Sequence, residues 1–247
     1  MFILRYFRQS FAVALVAALF LSGIFIQANA QQIDARKLYE SAKKHQEEGA
    51  YTIALSEAEA AIQSDPNLAP AYTVKGLALI SIFEQEHVDR NYDRSVPRNH
   101  LFVRLKQAIE SFEQYLKLRP QAQDAGVWQG WIYLLQPYAE LSDDQNPNRK
   151  VFLSSEFPPG NKARILRRRE AQYTEAARAA RVRGSIRVLA VLDADGTVKN
   201  IFVIQPLGYG LTERAREATS GIEFAPAQRN GHAVSQVIEV VYGFDTY

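Results

Sequence analysis

The stretch IRVLAVLDADGTVKNIFVIQPLGYGLTERAREATS, Ile186–Ser220, decides how the chain folds. Ile186, Val188, Ala190 and Leu192 recur at the two-residue period of a strand. Asp193-Ala194-Asp195-Gly196 follows, and Asp-Gly supplies the positive φ that a two-residue hairpin turn needs. A second strand pattern runs through Val198, Ile201 and Val203 until Pro206-Leu207-Gly208-Tyr209-Gly210 breaks it. Leu211–Ser220 then reads as a helix with Thr212 at the N-cap. Outward from this stretch, Ala171–Ala180 is a short helical run. Phe224-Ala225-Pro226-Ala227 and a turn at Asn230-Gly231 lead into a last β-branched strand, Val234–Tyr242. The spacing predicts a small α+β unit over 164–247, with a three-stranded antiparallel sheet and two helices.

This last third resembles the C-terminal domain of TonB-family proteins, the energy transducers of Gram-negative bacteria. The matching residues are Gly184, Val191 to Gly196, Val198, Gly210-Leu211-Thr212-Glu213, Phe224-Ala225-Pro226-Ala227, Asn230-Gly231, Val234 and Tyr242-Gly243-Phe244. Where the family carries a Tyr-Pro pair before its first helix, this chain has Tyr173-Thr174. The resemblance implies a periplasmic binding domain that holds the N-terminal box of an outer-membrane TonB-dependent receptor by strand addition.

At the other end, Arg5 and Arg8 precede an apolar run from Phe11 to Ile26, and Ala28-Asn29-Ala30 followed by Gln31-Gln32 has the form of a cleavage site. Residues 1–30 read as a secretory signal peptide cut between Ala30 and Gln31. The competing reading is an uncleaved anchor, for which ~20 apolar residues are needed. Either way the body is exported, to the periplasm. With no cysteine in the chain, neither a disulfide framework nor a thiolate site is available. The formal charge of +2 falls to zero once Arg5 and Arg8 leave, which gives no reason to expect a nucleic-acid partner.

From 33 to 141 the sequence is helical and alanine-rich. Leu38, Ala42, His45, Gly49, Tyr51, Ala54, Ala58, Ala61 and Pro66 resemble one tetratricopeptide (TPR) repeat, whose period is ~34 residues. A second copy begins near Ala69, with Tyr72 and Gly76 in corresponding places and an insertion near 84–99. Helix patterning resumes through Leu105, Ala108, Phe112 and Leu116, and Ala125–Leu135 reads as a capping helix. The alternative is a plain helical-hairpin bundle. Residues 142–163, polar and rich in breaking residues but not a long proline-rich rod, read as a linker. The fold class expected is therefore α+β multidomain: all-α TPR-like hairpins, a linker, then the TonB-type domain.

No catalytic constellation stands out. The histidines His45, His87, His100 and His232 fall on separate elements, with no metal-ligand spacing. Asp193 and Asp195 belong to a turn. Gly208-Tyr209-Gly210 lacks the further glycine and lysine of a phosphate loop. No cofactor, metal or enzymatic activity is expected.

Binding remains. An edge strand with unpaired N–H and C=O groups recruits an extended peptide. The expected site is the backbone of Ser235, Val237, Glu239 and Val241, with Tyr173 flanking; otherwise the edge is protected, or it pairs with a second copy to give a homodimer. The helical repeats offer a surface to another protein partner. Two functions follow: a TonB-like protein supporting outer-membrane transport, or a soluble periplasmic scaffold that binds through its repeats without energy coupling. An inner-membrane motor of the ExbB/ExbD type enters only if the N-terminus stays as an anchor.

Overall fold

The computed structural model describes residues 34–88, 99–143, 145–146 and 148–245. The expected signal sequence, the cleavage site expected at Ala30 and Gln31, and most of the insertion expected near 84–99 lie outside them. Two compact units emerge, Met1–Lys75 and Gly76–Tyr247.

In the first unit, helix α1 (34–47) and helix α2 (Tyr51–Ser64) are joined by a three-residue turn. Gly49 makes that turn possible. It sits at φ +80, and the Ala50 N–H reaches the His45 carbonyl while the Gly49 N–H reaches that of Gln46, a Schellman C-cap that only glycine adopts without strain. Ala42 and Ala58 are buried with Val74, and Tyr39 packs against them. Small side chains here let the helix backbones approach closely. Glu57 ties α2 to α1, accepting from Ser41 Oγ at 2.8 Å and standing 2.7 Å from His45 Nδ1. His45 is thus a polar cross-link. The assignment of these helices to the TPR class rests on sequence spacing alone.

Helix α3 (Ala69–Val88) crosses the boundary between the units, so residues 84–88, the start of the expected insertion, are helical. In the second unit its later turns lie beside helix α4 (Asn99–Leu118). A Cβ built on Gly76 would stand 2.3 Å from Phe112 Cε1, so this glycine is required by close approach. Arg104 clasps Glu86 with two bonds of 2.7 and 2.5 Å, the bidentate geometry that suits a guanidinium. Helix α5 spans Ala125–Ala139, one turn beyond the expected end at Leu135 and through Pro137.

The central sheet is larger than expected. Strands β3 (Gly184–Leu192) and β4 (Val198–Gln205) form the hairpin, and β7 (His232–Phe244) pairs antiparallel with β3 from Gly184↔Phe244 to Leu192↔Gln236. A short strand β1 (Val151–Leu153) adds in parallel to β7, Val151 opposite Ser235 and Leu153 opposite Val237. The order is β1-β7-β3-β4, and β6 (Ala227–Arg229) folds onto the start of β7. Asn230 and Gly231 make that turn at φ 53 and 79, the left-handed pair a type I′ hairpin needs. Strands β2 (Arg164–Arg167) and β5 (Glu223–Ala225) form a separate antiparallel ribbon.

The expected linker 142–163 is therefore not free chain: it supplies β1. Phe152 is buried with Phe157 and Ala227, and the guanidiniums of Arg149 and Arg229 lie 4.9 and 4.5 Å from its ring centre. The Arg149 guanidinium donates to Glu156 Oε1, and Glu156 Oε2 accepts from the Leu153 N–H at 2.6 Å. Those contacts hold the strand on the sheet.

Local differences have plain causes. The first helix of the domain is α6 (Glu175–Ala179), not Ala171–Ala180. Thr174 caps it by accepting from the Ala177 N–H at 3.1 Å, which a proline there has no hydroxyl to do. The β3–β4 turn has three residues instead of two: Asp193 and Thr197 pair across it at 3.0 Å, and Gly196 holds φ +86. Helix α7 (Leu211–Ser220) starts from Gly210 at φ 77. Thr212 lies inside it, and its hydroxyl accepts from the Leu207 N–H and donates to the Leu207 carbonyl at 3.1 and 2.7 Å. It pins the loop rather than capping the helix.

Both sheet faces are covered. Ile186, Val188, Leu192, Val240, Tyr242 and Phe244 share a core with Ala177 of α6 and Leu211, Ala215 and Ala218 of α7. On the other face Leu189, Val191 and Phe202 are each 2 % exposed. The Phe202 ring meets Phe83 of α3 at 6.1 Å, Trp131 of α5 at 6.4 Å and Tyr138 of α5 at 6.0 Å. Asn200, a positive-φ residue of β4, fixes α5 in place: its carbonyl accepts from the Tyr138 hydroxyl and its amide donates to the Tyr133 carbonyl at 2.8 Å. Burial pushes the Tyr138 phenol well above the usual tyrosine range. The unit Gly76–Tyr247 is thus three layers deep, helices on each side of one sheet.

Candidate functional site: the outer edge of strand β7

Strand β7 offers β3 one edge, and what covers its other edge decides what the chain can bind. Ser235 and Val237 lie opposite Val151 and Leu153 of β1. Ser235 is buried besides, its hydroxyl 3.3 Å from Asp193 Oδ2 and 3.1 Å from the Ala194 N–H. These two expected site residues are therefore already occupied within the chain. Glu239 and Val241 lie past the end of β1. Glu239 Oε1 is 3.2 Å from Arg187 Nη1, and its Oε2 is 3.6 Å from His87 Nε2. Val241 is 42 % exposed, and its carbonyl accepts from Arg168 Nη2 at 2.5 Å. Tyr173 stands at the far end of the strand: its ring is 5.8 Å from that of Phe244, and its hydroxyl donates to the Val182 carbonyl. Ser235 and Val237 lie within the segment that β1 pairs, while Glu239, Val241 and Tyr173 lie beyond it.

A cavity of about 630 Å³ opens beside β7, bounded by its Val237, Ile238 and Glu239, by Leu153 and Ser154 at the end of β1, and by His87 and Phe102 of the helices. The side chain of His87 is 8 % exposed and its Nδ1 has no hydrogen-bond partner among the described residues. His87 and Phe102 could not be found from the sequence as site residues. They carry no motif, and only the docking of the helices on the sheet brings them to β7.

One turn before His87, burial pushes the Glu84 carboxyl up to about 7. The folded state then holds this proton more tightly than the unfolded chain. Its contribution is most favourable in acid, declines as pH rises from the ordinary carboxylate range to about 7, and is fully unfavourable above that. Glu84→Gln is expected to raise stability at pH 8 by about 2 kcal/mol and to change it little at pH 4. Urea melts at the two pH values measure this; an equal effect at both would mean the carboxyl titrates normally.

At the β3–β4 turn the charges are exposed and do a different job. Lys199 Nζ is 2.5 Å from Asp195 Oδ2 and 3.2 Å from Asp193 Oδ1. Hydrogen bonds from Lys199 and Thr197 hold the Asp195 carboxyl well below its ordinary range, and Lys199 is raised in turn by Asp195 and Asp193. These carboxylates brace a turn. Among the described residues no three His, Asp or Glu side chains gather as a metal site, and no helix is long and apolar enough to cross a membrane.

The class that emerges is a helix-backed, mostly antiparallel sheet whose strand β7 is paired by β1 over only three residues. Residues 169–246 match the family model described as Gram-negative bacterial TonB protein C-terminal. This third of the chain, from just before α6 through β7, is what is similar to that family. Among solved structures, the solution NMR structure of the Pseudomonas aeruginosa TonB C-terminal domain matches with 21 % identity and a TM-score of 0.29, over 35 % of this chain and 90 % of that one. No curated protein matches the chain.

Proposed function

We propose that this is a periplasmic TonB-like protein that supports outer-membrane transport by holding an extended segment of an outer-membrane receptor against β7. The observation that carries the reading is that β1 ends opposite Val237, leaving Ile238–Phe244 past its reach and inside the region that matches the TonB C-terminal family. Strand addition there joins main-chain groups of Glu239, Val241 and neighbouring residues to the incoming peptide. Arg168, now on the Val241 carbonyl, swings aside or stays as a clamp. The TPR-like helical region expected over 33–141 serves as a second protein-binding surface, as stacked helical hairpins do.

The test is a titration of the chain with a synthetic receptor-box peptide, read by amide shifts. Shifts are expected at 238–244. A peptide of the same sequence, N-methylated at alternate residues, should bind at least ~10-fold more weakly, because each lost donor of a strand ladder costs about 1 kcal/mol. Equal affinity of the two peptides would sink strand addition. Absence of any binding would sink the receptor reading itself.

A further inference from the structure

The ribbon strand β2 has a surface that the receptor reading does not use. Arg164, Ile165, Leu166 and Arg167 are all exposed, although they form a regular pair with β5. Ile165 is 44 % and Leu166 58 % exposed, and Val241, linked to this segment through Arg168, is 42 % exposed. These are three of the seven exposed large hydrophobic side chains among the described residues; Ile165 and Leu166 lie between Arg164 and Arg167 in the chain, and Val241 is bonded by Arg168. Lys162, Arg164, Arg167, Arg168 and Arg169 follow one another in eight residues without a carboxylate between them. Glu170 closes the run, and Glu223 is the one acid across the ribbon, 3.6 Å from Arg167 with both side chains mostly in solvent. Arg168 is held at the centre, its guanidinium 4.5 Å above the Tyr242 ring.

We propose that this face docks on an anionic lipid surface, its arginines on headgroup phosphates and Leu166, Ile165 and Val241 in the outer apolar margin. Guanidinium groups bind phosphate oxygens in pairs. Basic residues beside exposed aliphatic ones are what an interfacial contact requires. A soluble anion would account for the charges but leaves the exposed Ile165 and Leu166 without a role. The charge balance of the surface selects a negatively charged partner. This inference shares Val241 and Arg168 with the receptor reading but needs no peptide, and its charge and Leu166 tests do not touch β7.

The experiment uses the chain from Gln31 onward, which keeps every described residue and removes the apolar run Phe11–Ile26. It is sedimented with phosphatidylglycerol-containing vesicles and with pure phosphatidylcholine vesicles. Binding is expected to the first and not to the second, and to weaken with added salt. Arg164→Gln with Arg167→Gln should reduce it by roughly five-fold per arginine, and Leu166→Ser should weaken it further with no change in Tm, since that side chain is already in water. Lys43→Gln with Lys44→Gln on helix α1 removes the same charge elsewhere and should leave binding intact. The proposal is overturned if phosphatidylglycerol vesicles do not bind, if both vesicles bind alike, if the lysine pair matters as much as the arginine pair, or if Leu166→Ser has no effect. A face that binds only acidic peptides would appear as the first of these.

Discussion

Cut down to residues 164–247, the chain is expected to lose its cooperative fold and to associate, although this piece contains the whole region that matches the TonB C-terminal family. The cut removes α3, α4 and α5, whose Phe83, Trp131 and Tyr138 pack on Phe202; Leu189, opposite Phe202, and Val191 share its face, and all three are 2 % exposed in the intact unit. Returning three such side chains to water costs about 2 kcal/mol apiece. Their sum approaches the ~5–15 kcal/mol by which a domain is stable at all. The cut also strips β1 from β7, so the edge at Ser235–Val237 is bared beside an uncovered apolar face, a combination that invites edge-to-edge pairing. Urea melts and sedimentation of 164–247 against 76–247 measure this. A monomeric 164–247 unfolding cooperatively at the same urea concentration would show that the helices are an independent neighbour, as a two-domain reading of the sequence expects.

That two-domain reading misjudged one strand. Ile186, Val188 and Leu192 do share the core with α6 and α7, but the residues between them include Leu189 and Val191, so Val188–Leu192 is an unbroken apolar run. Such a run belongs to a strand buried on both faces, and every residue of it is buried. The second layer was legible there, before any helix was assigned to it. The elements that local chemistry dictates were legible too: the Asn230-Gly231 turn, the β3–β4 hairpin and α7 stand within a few residues of where the spacing puts them. Strand β1 was not. Three residues carry no periodicity, and their pairing with β7 joins parts of the chain more than eighty residues apart, a contact with no local signature. For the same reason half of the expected edge, Ser235 and Val237, proved to be filled from within the chain, while Glu239 and Val241 lie beyond β1.

Glu156→Ala is expected to release β1 and lengthen the open edge of β7. Glu156 does two things at once: it neutralises Arg149, whose side chain is 5 % exposed, and it accepts from the Leu153 N–H at 2.6 Å. Removing the carboxylate leaves a buried guanidinium without its counter-charge, a change that costs about 3–5 kcal/mol where the pair is fully buried. Glu156 is 27 % exposed, so water compensates part of this loss and about 2 kcal/mol is the expected global effect. The local effect is larger, because the strand has only three residues and Phe152 is held between Arg149 and Arg229. Hydrogen exchange at Val151–Leu153 and at Ser235–Val237 should speed up together, well ahead of exchange at Val188–Leu192 in the middle of the sheet. Glu156→Gln keeps an acceptor for the Leu153 N–H but not the charge, and should fall between the two. If a receptor-box peptide adds to β7, Glu156→Ala should bind it more tightly, since more of the edge is free. Unchanged exchange at Ser235–Val237 would mean that the Phe152 cluster alone holds β1, and the ion pair would then be incidental to the edge.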